Sequence, residues 1–260
     1  MADRSSWFFS KKAFLFDLDG TLYLGSRALK GAHELLERLE REEKDIFYFT
    51  NNSSRSEADY VTKLKRIGFR AKKDQIVMST HTLIRFLKSK KWRSVFLLGT
   101  PAMKKMLKQN QIRSSSASVK AVVVGFDKTL TYEKLKRACE LIEAGIPYIV
   151  THPDLYCPTD KGREPDCGAF AKVLEAVTEK KPLVVLGKPH RLMIEEVRRR
   201  KPYRVSEMVL IGDRLMTDIA MAKSAGIDSL LVLSGETTAA KARKSRLKAT
   251  FTAKSVADLN

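Results

Sequence analysis

Cysteine is scarce in this 260-residue chain: Cys139, Cys157 and Cys167 are an odd count without zinc-type spacing. That excludes a disulfide framework and points to free thiols in a reducing compartment. Long apolar runs are missing too; the longest, Ala121–Val124 leading into Gly125 and Phe126, falls far short of a membrane span. Residues 1–12 hold Trp7, Phe8 and Phe9 but no extended apolar stretch with a small-residue cleavage site. No secretory signal is therefore expected, and the chain is expected to be soluble and cytoplasmic, with no membrane partner. No Pro- or Gly-rich linker, internal repeat or low-complexity segment interrupts it. Nor does it carry a Gly-x-x-x-x-Gly-Lys-Ser/Thr loop, a Gly-x-Gly-x-x-Gly turn, a Gly-x-Ser-x-Gly elbow or a Cys-x-x-Cys pair, which removes support for P-loop, dinucleotide and serine-hydrolase chemistry. Acidic residues are in deficit: 30 Asp and Glu stand against 49 Lys and Arg, a net charge of +19. Such a balance fits a nucleic acid, an anionic surface or a phosphorylated small molecule as partner, and equally the ordinary surface of a basic proteome.

What is present is an alternation. Short apolar segments rich in β-branched residues occupy 12–16, 46–49, 95–98, 121–124, 147–150, 183–186, 208–211 and 229–233. Between them apolar residues recur at helical spacing, as in Ala32, Leu35, Leu36, Leu39 and in Leu135, Ala138, Cys139, Leu141, Ile142. Strands alternating with helices predict an α/β fold on a parallel sheet.

Polar clusters follow four of these strands. Asp17-Leu18-Asp19-Gly20-Thr21-Leu22 places two carboxylates two residues apart, so that both point to one side of the strand end, while Gly20 lets the chain turn away. Thr50-Asn51-Asn52-Ser53-Ser54 offers hydroxyls, amides and backbone N–H groups suited to phosphate oxygens, or a simple helix cap. Gly187-Lys188-Pro189 sets a cation just past a strand, where a solvated lysine is the ordinary occupant. Gly212-Asp213-Arg214-Leu215-Met216-Thr217-Asp218 ends on an acid that opens a helix through Ala225, closed by Gly226. Each cluster has a bland reading by itself. All four lie at strand C-terminal ends, where an open parallel sheet binds ligands, and together they describe a metal-assisted phosphoryl-transfer site.

These ordered motifs resemble the haloacid dehalogenase (HAD) superfamily of aspartate-nucleophile phosphatases over essentially the whole chain. With Gly125-Phe126-Asp127-Lys128-Thr129-Leu130-Thr131-Tyr132 added, they resemble most closely its NagD-like subfamily (class IIA, C2-type cap), whose motif set is complete here. The resemblance implies a Rossmann-like parallel-sheet core with an inserted α/β cap domain. It implies Asp17 as the nucleophile that forms an aspartyl-phosphate and Asp19 as the acid and base for the leaving oxygen and the attacking water. Mg²⁺ is the implied cofactor, held by the Asp17 and Asp213 carboxylates and the Asp19 backbone carbonyl, with Asp218 supporting. Lys188, Thr50, Asn51 and Asn52 would hold the phosphoryl group.

Spacing locates the insertion. Asp17 to Thr50 is 33 residues and Lys188 to Asp213 is 25, each room for one crossover, whereas Thr50 to Lys188 is 138. The expected division is a core of 1–79 and 187–260 around an inserted domain of 80–186, which the resemblance identifies as the cap. Within it the segment from Thr151 through His152, Pro153, Asp154, Leu155, Tyr156 and Cys157 to Pro158 reads as a loop after a strand. The resemblance implies that Tyr156 and Cys157 there meet the leaving group; packing under a loop is the competing reading. Cys157 departs from the histidine carried by pyridoxal phosphatases of this type. Phe126-Asp127-Lys128 echoes Phe16-Asp17-Leu18-Asp19 without a second carboxylate and reads as the cap's own signature segment. His33 and His81 read as helix residues without catalytic work, and His190 has no assigned role. The expected activity is Mg²⁺-dependent hydrolysis of a small phosphorylated metabolite resembling a sugar phosphate. The alternatives are a basic nucleic-acid or acidic-partner binding protein on this fold and a phosphotransferase. A homodimer is compatible with the resemblance.

Overall fold

The computed structural model describes residues 4–159 and 162–259. The chain divides into two compact units, Met1–Thr50 with Ala58–Val77 and Lys188–Asn260, and Asn51–Glu57 with Met78–Gly187. It passes between them after residues 50, 57, 77 and 187. The sequence reading sets two passages, at 79/80 and 186/187; the excursion of Asn51–Glu57 is too short to leave a periodicity.

In the first unit a sheet runs in the order Phe251–Ala253, Asp228–Val232, Met208–Gly212, Ala13–Asp17, Asp45–Thr50, Ile76–Met78. Ala13–Asp17 lies parallel to Met208–Gly212 on one side and to Asp45–Thr50 on the other. Every residue of this central strand is buried, which is why it reads as an unbroken apolar run rather than an alternation. Ala13 and Leu15 share a face with Phe47, Phe49, Met208 and Leu210, covered by helices Leu192–Arg200 and Ala220–Ala225 through Met193, Ile194, Val197, Met221 and Ala222. Phe14 and Phe16 take the opposite face with ring centroids 6.5 Å apart, and Phe8 of the helix Arg4–Phe9 packs on Phe14 at 4.9 Å. Each fully buried Phe is worth about 1.5–3 kcal/mol relative to exposure. Helix Ala32–Arg41 buries Ala32, Leu35, Leu36 and Leu39, the stripe its spacing predicts.

The second unit repeats the plan. Its sheet runs Val184–Val185, Tyr148–Val150, Ala121–Val124, Ser94–Leu98, Arg113–Ser114, all neighbours parallel. Helices Tyr132–Glu143 and Cys167–Thr178 contribute Ala138, Leu141, Ile142, Cys167 and Leu174 to its core.

Several expectations change. The strand read over 183–186 shrinks to Val184–Val185 at the sheet edge. The segment read as a loop through Pro158 contains a strand, Tyr156–Thr159, paired antiparallel with Gly162–Pro165. Pro158 sits in that two-stranded ribbon, where a missing N–H on an outer edge is tolerated. Ile76–Met78 and Phe251–Ala253 have no counterpart in the sequence reading because three residues are too few to show a period. Among the described residues no helix is long and apolar enough to cross a membrane.

Candidate active site

Three adjacent strands of the first sheet deliver the chemistry at their C-terminal ends. Ala13–Asp17 ends on Asp17, Asp45–Thr50 on Thr50, and Met208–Gly212 immediately precedes Asp213. Asp17 is buried, and its Oδ1 is paired with Lys188 Nζ, while Thr21 Oγ1 donates to its Oδ2 at 3.3 Å. Lys188, itself 4% exposed, reaches Asp218 Oδ1 at 2.8 Å. Carboxylate oxygens of Asp17, Asp213 and Asp218 all lie within 4.8 Å of one another. Two acids thus share one buried lysine, with a third beside them.

Glycines make this crowding possible. A Cβ on Gly20, whose φ of +89° favours glycine in any case, would stand 2.6 Å from Asp213 Oδ2. Side chains at Gly212 and Gly235 would run into Asp218 and Asp213. Asp213 Oδ2 accepts from the Glu236 amide at 2.6 Å, and Asp218 Oδ2 from the Arg214 amide at 3.2 Å. Asp218, read from the sequence as opening the helix through Ala225, precedes that helix. It lies fully buried within a π-helical turn, Leu215–Ile219, that leads into the helix Ala220–Ala225. The wider turn carries its carboxylate inward to Lys188; such turns are frequent at functional sites.

The electrostatics follow from this arrangement. Burial, with the Asp17 and Asp218 charges adding, pushes the Asp213 carboxyl well above the usual range. Burial raises Asp218 as well, opposed by Lys188. Lys188 is held above its ordinary value because Asp17 and Asp218 outweigh its own burial. Asp213 Oδ1 is buried without a hydrogen-bond partner. An orphaned carboxylate oxygen among three acids and hard-oxygen donors is the setting a divalent cation requires, so the residues present fit one.

Asp19 stands in different surroundings. Its side chain remains 47% exposed, Tyr23 Oη donates to its Oδ2 at 3.2 Å, and Lys63 Nζ lies 3.9 Å from Oδ1. Desolvation by the neighbouring protein raises its carboxyl above the usual value, with Lys63 acting against the rise and Asp17 adding to it. Lys63 also sits 4.1 Å from the Tyr23 ring centroid. Sequence reasoning missed Tyr23 and Lys63 as partners of Asp19; a tyrosine four residues after the acid was visible, a lysine on the helix Glu57–Ile67 was not distinguishable from its solvated neighbours.

The remaining expected site residues divide. Thr50 is buried with Oγ1 3.1 Å from Tyr60 Oη in the first unit. Asn51, Asn52, Tyr156 and Cys157 belong to the second. Asn51 Nδ2 donates to Asp154 Oδ2 at 3.0 Å, and Asn52 Oδ1 accepts from Ser54 N and Oγ, so both side chains have protein partners. Ser53 Oγ accepts from Phe126 N at 2.8 Å and shares a hydrogen bond with Thr151 Oγ1. Tyr156 and Cys157 are half-buried on the hairpin, with the Arg163 guanidinium 4.3 Å from the Tyr156 ring centroid. Asp127 in the echoing segment is spent locally: its carboxylate accepts from Thr129 N and Oγ1 and pairs with Lys134 at 2.8 Å. His33 packs on Phe69, and His81 bridges Glu57 and the Met78 amide. His190 Nδ1 accepts from the Leu192 amide.

Comparison with known proteins agrees with this geometry. The model of the haloacid dehalogenase-like hydrolases matches residues 14–113, and a HAD-hydrolase-like model matches residues 185–259. A 5'-nucleotidase of Bacillus subtilis is 34% identical over 87% of this chain and 88% of its own length. An acid sugar phosphatase of Staphylococcus saprophyticus is 31% identical over 96% and 95%. Among solved structures, a 4-nitrophenylphosphatase from Thermotoga maritima superposes with a TM-score of 0.93 at 39% identity, covering 97% of both chains. A candidate nagD protein superposes with a TM-score of 0.89 at 40% identity, covering 95% of this chain and 96% of that one.

Proposed function

This chain belongs to the haloacid dehalogenase-like hydrolases, in their NagD-like branch, and is a phosphomonoester hydrolase; we propose that it hydrolyses a small sugar-phosphate-like metabolite through an aspartyl-phosphate on Asp17, with Mg²⁺ as cofactor. The observation that carries this reading is the contrast between the two acids of one turn. Asp17 is buried and ion-paired with Lys188, whereas Asp19 is desolvated enough to be raised and stays open to solvent. Two carboxyls in different surroundings are what separate a nucleophile from a proton donor.

In the proposed reaction an Asp17 carboxylate oxygen bonds to phosphorus as the bond from phosphorus to the substrate oxygen breaks. Asp19 gives its proton to that departing oxygen, then takes one from the water that attacks phosphorus and frees Asp17. Lys188 holds Asp17 in position and offsets the charge that gathers on the phosphoryl oxygens, with Thr50 and the backbone amides of Asn51 and Asn52 gripping them. Asp17, Asp213 and the Asp19 backbone carbonyl would hold the cation, Asp218 supporting them through Lys188; when bound it screens the repulsion between a carboxylate and a phosphate. The second unit is proposed to act as a cap whose Tyr156 and Cys157 set the preference for the leaving group. The likeness to an acid sugar phosphatase supports the sugar-phosphate class, and the 5'-nucleotidase likeness makes nucleotides the comparison substrates.

The test is phosphate release from sugar phosphates, phosphoglycolate, pyridoxal phosphate, nucleotides and nitrophenyl phosphate, with Mg²⁺ and with EDTA. Metal-dependent release that Asp17→Asn eliminates is the expected result. Undiminished turnover by Asp17→Asn, or release indifferent to EDTA, sinks the assignment.

A further inference from the structure

Three passages of the chain between the two units meet at one residue of the second unit. Asn51, the first residue after Thr50, accepts a hydrogen bond on its backbone carbonyl from Ser79 Oγ at 2.5 Å, where the helix Ser79–Ser89 begins just beyond the 77/78 passage. Its side-chain oxygen lies 2.7 Å from where a Cβ on Gly187 would stand, and Gly187, with φ +72°, is the last residue before the 187/188 passage. Its side-chain amide donates to Asp154 Oδ2 at 3.0 Å. Asp154 therefore contributes to the orientation of the Asn51 side chain.

Asp154 is fixed from behind by a cluster the proposed reaction does not use. His152 Nδ1 faces Asp154 Oδ2 at 3.2 Å, and His152 Nε2, on the opposite edge of the ring, faces Asp166 Oδ1 at 3.4 Å. The imidazole is wholly buried, and the two carboxylate side chains are 16% and 5% exposed. Neither contact has the alignment of a full hydrogen bond, so the attraction is chiefly between charges. A neutral imidazole carries one N–H and one lone pair, and would turn the lone pair toward a buried carboxylate on one edge or the other. Only the doubly protonated ring answers both. Nearby, Cys167 Sγ donates to the His152 carbonyl at 2.9 Å, and Thr151 Oγ1 lies 3.4 Å from that sulfur. Burial works against charge on His152, yet Cys167, Asp166 and Asp154 outweigh it and hold the group well above its ordinary value. Burial likewise lifts Asp166, and the His152 charge pulls it back.

We propose that His152, seated between the carboxylates of Asp154 and Asp166, is a positioning residue for the Thr50–Asn51 turn: it holds Asp154, and Asp154 orients Asn51, on which the passages converge. The inference rests on the reading of that turn as the phosphate-holding segment and deepens it. Asp166 supplies the means of testing it. Its carboxylate also caps the helix Cys167–Thr178 by accepting from the Cys167 amide at 2.6 Å. Asparagine caps as well as aspartate, so Asp166→Asn removes the charge facing His152 and keeps the cap.

The experiment reads ring nitrogens, the Asn51 side-chain amide and turnover on the full-length protein, in wild type, Asp166→Asn, Asn51→Ala and the double variant. Nitrogen-15 spectra of the histidine rings should show both His152 nitrogens protonated in wild type at neutral pH and one deprotonated at lower pH in Asp166→Asn than in wild type. The Asn51 amide resonances should move in Asp166→Asn. Asp166→Asn should lower kcat/KM for phosphate release about tenfold, and the double variant should be no slower than Asn51→Ala alone, because both changes act through one chain of contacts. A neutral His152 ring at pH 7, an unmoved Asn51 amide, or rate losses that simply multiply overturns the proposal. If the wild type releases no phosphate, the reading of the turn fails, and the Asn51 resonances still decide whether His152 braces it.

Discussion

Among the described residues each unit buries a cluster in which several carboxylates meet one cationic or basic side chain, and the two are closed differently. In the first, Lys188 answers Asp17 and Asp218 while Asp213 adds a third carboxylate with one bare oxygen. In the second, His152 sits between two carboxylates, one of which is further held by an asparagine amide and the other by a backbone N–H. The second cluster finds its partners within the chain. The first lacks cation, and it lies at strand ends where a ligand can supply one. A buried carboxylate oxygen left bare at a sheet's C-terminal edge fits a binding site, whereas acids that each find further partners within the chain fit a brace.

That contrast can be broken or sharpened by measurement. Asp17→Asn should cost on the order of a thousandfold or more in phosphate release while leaving the protein folded, since Lys188 keeps Asp218; a purified variant with substantial activity would dissolve the distinction. Lys188→Met strands Asp17 and Asp218 and should destabilise the protein by about 3–5 kcal/mol in urea unfolding, a loss that Mg²⁺ partly restores. Mg²⁺ at about a hundredfold its dissociation constant should stabilise the wild type by about 2.7 kcal/mol, and Asp213→Asn should abolish the gain in melting temperature. His152 titrates in the opposite sense to a carboxylate pair. Its value is raised in the folded protein, so its contribution is complete below the ordinary histidine value of 6.5 and is lost as pH climbs through the raised one. The difference in urea midpoint between wild type and His152→Asn should therefore be largest in mild acid and vanish in alkali. Least of all, Tyr156→Phe and Cys157→Ser should shift the preference between sugar phosphate and nitrophenyl phosphate by about threefold, with stability changed by less than about 0.5 kcal/mol.

Part of the first cluster was legible in the sequence, because Asp17 and Asp213 each follow an apolar run that forms a buried strand of one sheet. Lys188 was read at a strand end as well, but the strand before it, Val184–Val185, is a half-buried edge of the second sheet, and the lysine reaches Asp17 because the chain re-enters the first unit at residue 188. Asp218 was read as the residue that opens a helix and lies instead within a π-helical turn leading into it, a feature that leaves no mark on apolar spacing. Tyr23 and Lys63 escaped because their pairing with Asp19 depends on how a short hairpin and a helix pack. The second cluster escaped for a plainer reason: His152 and Asp166 come together across a hairpin whose strands are too short and too polar to show a period. The family-level chemistry depends on strand ends and could be read; the bracing of the linkers depends on contacts between elements and could not.

The long insertion also has a consequence during synthesis. Asp17 and its lysine are 171 residues apart, so at ribosomal rates of 5–20 residues per second the acid waits roughly ten to thirty seconds for its counter-charge to be made. Its strand gains one neighbour, Asp45–Thr50, almost at once and the other, Met208–Gly212, only near the end. The nascent first unit must therefore keep a half-built sheet with an exposed edge and a solvated acid while the whole second unit emerges, and the order of translation makes the inserted unit the first that can fold to completion.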